Sequence, residues 1–470
     1  MRGPSSSSPR VLVIAGVASG VGKTTVTLGL LEAFQRRGLT VQAFKVGPDF
    51  IDPGFHEVVT GRPSYNLDGW MCGRDHARAT VARHARGADL AIVEGVMGCF
   101  DGLDGASDEG STAQIAKWLG APVVLVIDVE AMARSAAATV LGFEGFDAGL
   151  EIGAVIANRV AGDTHARFVR DAIAARCHAT PVGAIPRDAA LVLPERHLGL
   201  VTAGEGPLTP DARRRLAEVV ERSVDLDALW NLARSVRGAS PGDAPPPAPP
   251  RARIGVARDP AFCFYYRDNF ALLEAAGAEL VFWSPLTDRE LPRVDGLYFG
   301  GGYPELHAAA LAANAPVRKA VRAFAATTGG PIYAECGGLM YLADALEDLD
   351  GATHTMVGLL PTTVRLRPRR LSLAYTEVTF TGATPLGGAG VVARGHEFHY
   401  SRIDPPSDAV PRAYRVRRRH GEEHAEGYVV GRALMSYVHL HFASNPALAE
   451  RFVAACAARG VCREPAPTTN

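Results

Sequence analysis

Two segments of the chain carry residue types and spacings that can do chemistry. Gly329-Gly330-Pro331-Ile332-Tyr333-Ala334-Glu335-Cys336-Gly337-Gly338-Leu339-Met340 reads as a short apolar strand, a thiol between small residues, and the start of a helix. A cysteine at a helix N-terminus is expected to have a lowered pKa, which favours the nucleophilic thiolate. Gly16-Val17-Ala18-Ser19-Gly20-Val21-Gly22-Lys23-Thr24-Thr25 follows the apolar run Val11-Leu12-Val13-Ile14-Ala15 and reads as a phosphate-binding loop. A thiol that can release ammonia from an amide, beside a loop that can hold ATP, implies ATP-driven amide formation.

In the loop, glycines let successive N–H groups turn inward toward phosphate oxygens, and the following helix adds its positive end. Ser19, Gly20, Gly22 and Thr25 form the cradle, Lys23 reaches the β- and γ-phosphates, and Thr24 ligates Mg²⁺. The strict phosphate-loop pattern needs glycine at position 17, where this chain has Val17; its glycine is one residue earlier, at 16. Lys45-Val46-Gly47-Pro48-Asp49 and Val93-Glu94-Gly95-Val96-Met97-Gly98 follow the second and third apolar runs, at strand ends where ligands bind in such sheets. Lys45 joins the nucleotide-binding set, and Asp49 and Glu94 join Thr24 as metal ligands that leave several waters on the ion. Asp101 and Asp104 lie on the next loop; Asp101 is assigned to the synthetase site, facing the metal or a substrate carboxylate, and Asn158 to the adenine edge. The plainer reading of each is a turn former or a cap.

Thiol hydrolysis of an amide also needs a base and donors for the oxyanion. His439, in Ser436-Tyr437-Val438-His439-Leu440-His441-Phe442, is the candidate base, and alternation along a strand would put His441 on the same face. The Gly337 N–H is one expected oxyanion donor, and Gly301, in Gly300-Gly301-Gly302-Tyr303-Pro304-Glu305, supplies a second. The plainer readings are an inert core cysteine and a satisfied core histidine. His396-Glu397-Phe398-His399 lacks the spacing of a zinc-protease motif and reads as a strand on the substrate side. The basic runs Arg365 to Arg370 and Arg412 to Arg419 read as solvated surface, or as a face that meets a polyanionic substrate.

Elements that can position these groups are legible. The 470 residues predict two or three domains. Pro241-Gly242-Asp243-Ala244-Pro245-Pro246-Pro247-Ala248-Pro249-Pro250 can be neither helix nor central strand and reads as an extended linker. It separates a synthetase domain at 10–236 from an amidotransferase domain at 253–455, with a linker at 237–252 and tails at 1–9 and 456–470. Continuous apolar runs at 11–15, 40–46, 89–93, 122–127, 152–156 and 181–185 alternate with helical patterns, as in a doubly wound parallel sheet buried on both faces. The alternation resumes after the linker, and from about 371 the pattern turns to β-strands with turns.

A formal net charge of −1 offers no bulk attraction to nucleic acid or anionic membrane. No apolar run reaches the ~18–20 residues of a membrane helix. Seven cysteines without a C-x-x-C pair point away from a disulfide framework or zinc site and toward a reducing, cytoplasmic setting.

These residues carry a resemblance. The first half resembles the dethiobiotin synthetase and MinD-like phosphate-loop domains. The second resembles the class I glutamine amidotransferase domain in its cobyrinic and cobyric acid synthase variant, whose Tyr-x-His segment matches Tyr437-Val438-His439. Lys45-Val46-Gly47-Pro48-Asp49-Phe50-Ile51-Asp52-Pro53, Val93-Glu94-Gly95-Val96-Met97-Gly98, Phe262-Cys263-Phe264-Tyr265-Tyr266-Arg267-Asp268-Asn269 and Gly395-His396-Glu397-Phe398-His399-Tyr400-Ser401 extend it over nearly the whole chain, to the branch that forms a,c-diamides. The resemblance implies conversion of the a and c carboxylates of cobyrinic acid to amides, using L-glutamine, ATP and Mg²⁺. Ordinary class I enzymes have His-x-Glu where this chain has His439 and His441, which implies a Cys–His dyad. A related tetrapyrrole, hydrogenobyrinic acid or a nickel sirohydrochlorin, is an alternative substrate. An ATPase switch with an inactive glutaminase-like binding module is an alternative of another class. The oligomeric state, a homodimer included, is left open.

Overall fold

The computed structural model describes residues 9–188, 195–196, 199–206, 208–235, 249–327, 329–367, 372–406, 408–418, 421 and 423–460. Residues 241–248 of the proline-rich segment, and the basic residues Arg369, Arg370 and Arg419, lie outside the described residues. The chain forms two compact units, Met1–Ala244 and Pro245–Asn470.

The apolar runs of the first unit become strands: β1 (Arg10–Gly16), β2 (Val41–Val46), β3 (Tyr65–Leu67), β4 (Leu90–Glu94), β5 (Val123–Asp128), β6 (Ile152–Val160) and β7 (Thr180–Pro186). They pair in the order β3-β2-β4-β1-β5-β6-β7, all parallel. The runs are continuous because both faces are covered. Val11, Val13 and Ala15 of β1 enter one core, and Leu12 and Ile14 enter the other. Burying each larger apolar side chain stabilises the fold by about 1.5–3 kcal/mol. The three-residue β3 was too short to show as a run. Residues Arg234–Ser235 return to pair antiparallel with β1, Arg10 opposite Ser235.

Two helices matter for the site. α1 (Lys23–Arg36) starts at the expected lysine, directly after β1 and its loop. It ends before Gly38, whose φ is 82° and whose N–H bonds the Gln35 carbonyl at 2.8 Å. α2 (Asp52–Thr60) follows β2 and has Pro53 in its first turn, where a missing N–H costs nothing.

In the second unit β8 (Ala252–Ala257), β9 (Ala278–Trp283), β10 (Gly296–Phe299) and β11 (Ile332–Glu335) precede β12 (Ser372–Phe380), β13 (Val392–His399), β14 (Arg412–Arg418), β15 (Glu423–Val430), β16 (Ala433–Ser436) and β17 (His439–Leu440). Their order is β9-β8-β10-β11-β16-β15-β14-β12-β13-β17. The first five are parallel and the remainder antiparallel, which accounts for the change of pattern after 371. α3 (Arg267–Ala275) packs on this sheet, and α4 (Gly337–Leu342) follows β11 directly.

Candidate functional site

In the first unit the phosphate loop is closed by its neighbours. Gly22 has φ 94°, and a Cβ there would lie 2.3 Å from Asn158 Nδ2. Asn158 Nδ2 donates to the Val21 carbonyl at 2.8 Å, and Arg159 donates to the Gly20 carbonyl at 3.0 Å. Asn158 braces the loop through one of the two N–H donors of its amide. Lys23 Nζ donates to the Ala18 carbonyl at 3.0 Å, while Ser19 and Gly20 stay exposed and Thr25 half-buried. Burial, and next the charge of Lys45, push the Lys23 ammonium down to about 8.

Lys45 and Glu94 face each other across β2 and β4. Lys45 Nζ lies 3.0 Å from Glu94 Oε1, 2.5 Å from Asp52 Oδ2 and 4.0 Å from Asp49 Oδ2. Thr24 Oγ1 donates to Glu94 Oε1 at 2.7 Å and lies 3.4 Å from Asp52 Oδ2. His56 Nε2 holds the other Glu94 oxygen at 2.7 Å, and its Nδ1 meets Ser64 Oγ at 3.0 Å. Burial alone would neutralise Lys45 and Glu94. Asp52 and Glu94 outweigh it for the lysine, and Lys45, His56 and Thr24 outweigh it for the glutamate, so both stay charged. Asp52 takes the surplus: burial, then Asp49 and Glu94, push its carboxyl well up.

Thr24 and Glu94, expected as metal ligands, do converge, and Asp49 stands farther off. Its Oδ1 accepts from the N–H groups of Ile51 and Asp52, which fixes the entry to α2. Among the described residues, no group of three or more His, Cys, Asp or Glu side chains is arranged to hold a metal. Asp52 Oδ1 is buried without a hydrogen-bond partner in the same frame, and the donor set is all oxygen. That chemistry fits Mg²⁺, which takes few protein ligands and completes its shell with phosphate and water.

Asp101 sits at the edge of this cluster, exposed and close enough for its charge to act on Lys23. Its Oδ2 accepts from the Gly98 N–H at 2.8 Å. Asp104 accepts from the N–H groups of Ala106 and Ser107, as a turn former does.

In the second unit Cys336 joins β11 to α4 with φ 48° and ψ −102°, a left-handed backbone rare for a side-chain-bearing residue. Such strain costs about 1–3 kcal/mol and persists only where its surroundings impose it. Here the Cys336 N–H bonds the Ser436 carbonyl at 2.7 Å, and its carbonyl accepts from Met340 at 3.0 Å. Gly301 packs against His439: a Cβ on it would lie 2.3 Å from His439 Cε1. A Cβ on Gly337 would lie 3.1 Å from the Gly302 nitrogen and 3.4 Å from the Gly301 carbonyl carbon. The glycine loop thus touches both the cysteine turn and His439, which brings distant sequence segments to one place.

The expected lowering of the thiol pKa is corrected. Cys336 is buried, and burial, followed by the Glu305 carboxyl, pushes it up; the Gly337 N–H pulls the other way and loses. The six-residue α4 is too short to reverse this. Burial, then His399, pushes His439 down to about 3. Thiol and imidazole are both neutral in this state, so proton transfer between them belongs to the reaction rather than to a resting ion pair.

His439 pairs with His396 across β17 and β13, their rings 5.0 Å apart. β13 does line the thiol: Cys336 Sγ lies 3.7 Å from the Phe398 carbonyl. His441 lies past the end of β17, where its Nδ1 caps the turn Phe442–Ser444. The basic run on β14 is tied down by ion pairs: Arg415 with Glu423, Arg417 with Glu377 and Arg418 with buried Glu397. Sequence reasoning missed Asp52, His56 and Glu305 as parts of the sites. Only Asp52, three residues after Asp49 and before a helix-starting proline, left a usable signal.

Residues 12–201 match the family described as the CobQ/CobB/MinD/ParA nucleotide binding domain, and residues 253–447 match the CobB/CobQ-like glutamine amidotransferase domain. The cobyrinate a,c-diamide synthase of Syntrophotalea carbinolica is 49% identical over 457 residues, covering 96% of this chain and 99% of its own. Those of Priestia megaterium and Salmonella typhimurium are 44% and 43% identical, covering 96% and 94% of this chain and 98% and 97% of their own. With two sites of matching chemistry and relatives aligned almost end to end, the chain belongs to the cobyrinate a,c-diamide synthase family.

Proposed function

We propose that the protein uses ATP and L-glutamine to convert the a and c side-chain carboxylates of cobyrinic acid to amides. The observation that carries this reading is the strained Cys336 turn with His439 and the glycine loop in one unit, together with a phosphate loop and carboxylate cluster in the other. In the second unit Cys336 gives its proton to His439 and attacks the glutamine side-chain carbonyl, while the N–H groups of Gly337 and Gly301 face the oxyanion. Collapse expels ammonia, protonated by His439, and water then releases glutamate from the thioester. In the first unit the γ-phosphate passes to a substrate carboxylate oxygen, and ammonia displaces phosphate from the acyl phosphate.

Lys23 and Lys45 supply positive charge for the phosphates. Thr24, Glu94 and Asp52 would hold Mg²⁺, which neutralises phosphate charge when bound. His56 and Ser64 fix the Glu94 carboxylate for that task. Mass spectrometry of cobyrinic acid, hydrogenobyrinic acid and nickel sirohydrochlorin incubated with ATP and glutamine tests the substrate. Two added amides on cobyrinic acid alone are expected. Two on another tetrapyrrole would reassign the substrate, and ATP turnover without any amide would favour the ATPase-switch alternative.

Asp101 gives a finer test. Its exposed carboxylate beside Lys23 suits contact with the substrate carboxylate or the metal. Asp101→Ala should therefore slow phosphorylation while glutamine hydrolysis continues, releasing more free ammonia per diamide than the wild type. Asp101→Asn keeps an acceptor for Gly98 and loses the charge. If Asn restores tight coupling, the residue acts only as a turn former.

A further inference from the structure

We propose that Glu335, the residue immediately before the nucleophile, is the carboxylate that orients the His439 imidazole. The inference rests on the reading of Cys336 and His439 as thiol and base. The familiar place for such a carboxylate, two residues after the histidine, is occupied by His441, whose Nδ1 is spent on a backbone cap. Glu335 reaches the same imidazole from another strand. Its Oε2 lies 4.0 Å from His439 Nδ1, and both side chains are buried, at 1–2% exposure.

The carboxylate is fixed from several sides. Tyr298 on β10 donates to Oε2 at 3.0 Å, Tyr333 on β11 donates to Oε1, and the Leu440 N–H donates to Oε1 at 2.9 Å. A carboxylate accepts about four hydrogen bonds. Three places are taken by donors that cannot leave without being stranded in the core. The remaining one is on Oε2, the oxygen that lies 4.0 Å from His439 Nδ1. Asn269 on α3 steadies the other partner: it bonds the Leu440 carbonyl at 2.9 Å and accepts from the Phe442 N–H at 2.8 Å. The histidine-bearing segment and the glutamate are thus held by one buried network.

The left-handed turn at Cys336 explains how one short stretch can supply two roles. Glu335 keeps the strand geometry of β11 and shares a face with Tyr333, while the next residue leaves the strand. Hydrogen bonds at catalytic sites are often long before substrate arrives, and 4.0 Å closes to bonding distance with a small ring shift. When His439 takes the thiol proton, Glu335 faces the new imidazolium.

Among the described residues, the titratable groups around the pair are Cys336, Tyr265, Tyr298, Tyr333 and Tyr414 near Glu335, and His396 and His399 near His439. Burial raises the Glu335 carboxyl to about 8 against the pull of its three donors. The ionised form is the active one, so glutaminase kcat/KM should rise as pH passes through about 8.

The test uses the full-length enzyme. Glu335→Gln should lower glutaminase kcat on the order of 10²-fold, within the range expected of a lost acid–base contribution, with little change in glutamine KM. The rise near pH 8 should vanish. Glu335→Asp, which keeps the charge, should recover part of the rate and the rise. In a His439→Ala background Glu335→Gln should cost nothing further, because a positioning residue has nothing left to position. Circular dichroism and thermal unfolding of each variant, with its glutamine KM, report whether the unit that carries Glu335 is folded. An unchanged pH profile in Glu335→Gln, or a cost fully additive to that of His439→Ala, would overturn the proposal and leave the dyad standing. Full glutaminase activity in His439→Ala would overturn the dyad itself, and the proposal with it.

Discussion

Cys336→Ala abolishes glutamine-dependent amidation and leaves synthesis from ammonium salt at the wild-type rate: that is the expected result for a thiol whose only task is to release ammonia. Loss on the order of 10⁶-fold in glutamine hydrolysis is the scale seen when a hydrolase loses its nucleophile. The substitution is small, and alanine keeps the buried packing of the turn. The strain at φ 48° remains, because it is imposed by the bonds to Ser436 and Met340 rather than by the sulfur. The synthetase chemistry lies in the other compact unit, whose cores contain no residue of the cysteine turn. Parallel assays with the two nitrogen sources decide the matter. A folded variant that loses both activities would show that Cys336 serves more than ammonia release.

Lys23→Ala should fail with either nitrogen source, by about 10²–10³-fold in kcat, because the acyl phosphate is needed whatever supplies the ammonia. The lysine starts helix α1 and now spends its ammonium on the Ala18 carbonyl. A nucleotide phosphate would compete for that contact with full charge. Glutamine hydrolysis should persist, so the variant separates the two half-reactions in the direction opposite to Cys336→Ala. Wild-type amidation from ammonia would remove Lys23 from the phosphate site.

The strands of the first unit were readable because a sheet buried on both faces demands unbroken apolar runs. The phosphate loop was readable because its backbone needs glycines at set places and a lysine after them. Local patterns of that kind survive in a sequence. The roles of Asp52 and His56 do not, because Asp52 is defined by Lys45 and Thr24 and His56 by Glu94, groups that gather only when β2 and β4 pair and α1 packs beside them. The thiol pKa was misjudged for a related reason. A helix start is visible in sequence, whereas the burial of Cys336 and the approach of Glu305 are products of packing. Glu335 stood within the quoted motif, yet nothing there reveals that Tyr298, Leu440 and His439 would surround it.

The place of β1 has a consequence for how the protein is made. Synthesised before the other described strands, β1 lies in the middle of its sheet, between β4 and β5, and also pairs with Arg234–Ser235. Its immediate successor along the chain, β2, is not its neighbour. At about 5–20 residues per second, an apolar strand therefore waits on the order of ten seconds with both edges open before its partners have been synthesised. The cysteine turn waits in the same way, for Ser436. A nascent chain halted between α1 and β4 would carry the phosphate loop without Glu94, and one halted just before residue 436 would carry the cysteine motif without the bond that holds its turn; supply of this enzyme in the cell would lean on whatever shields open strand edges during translation.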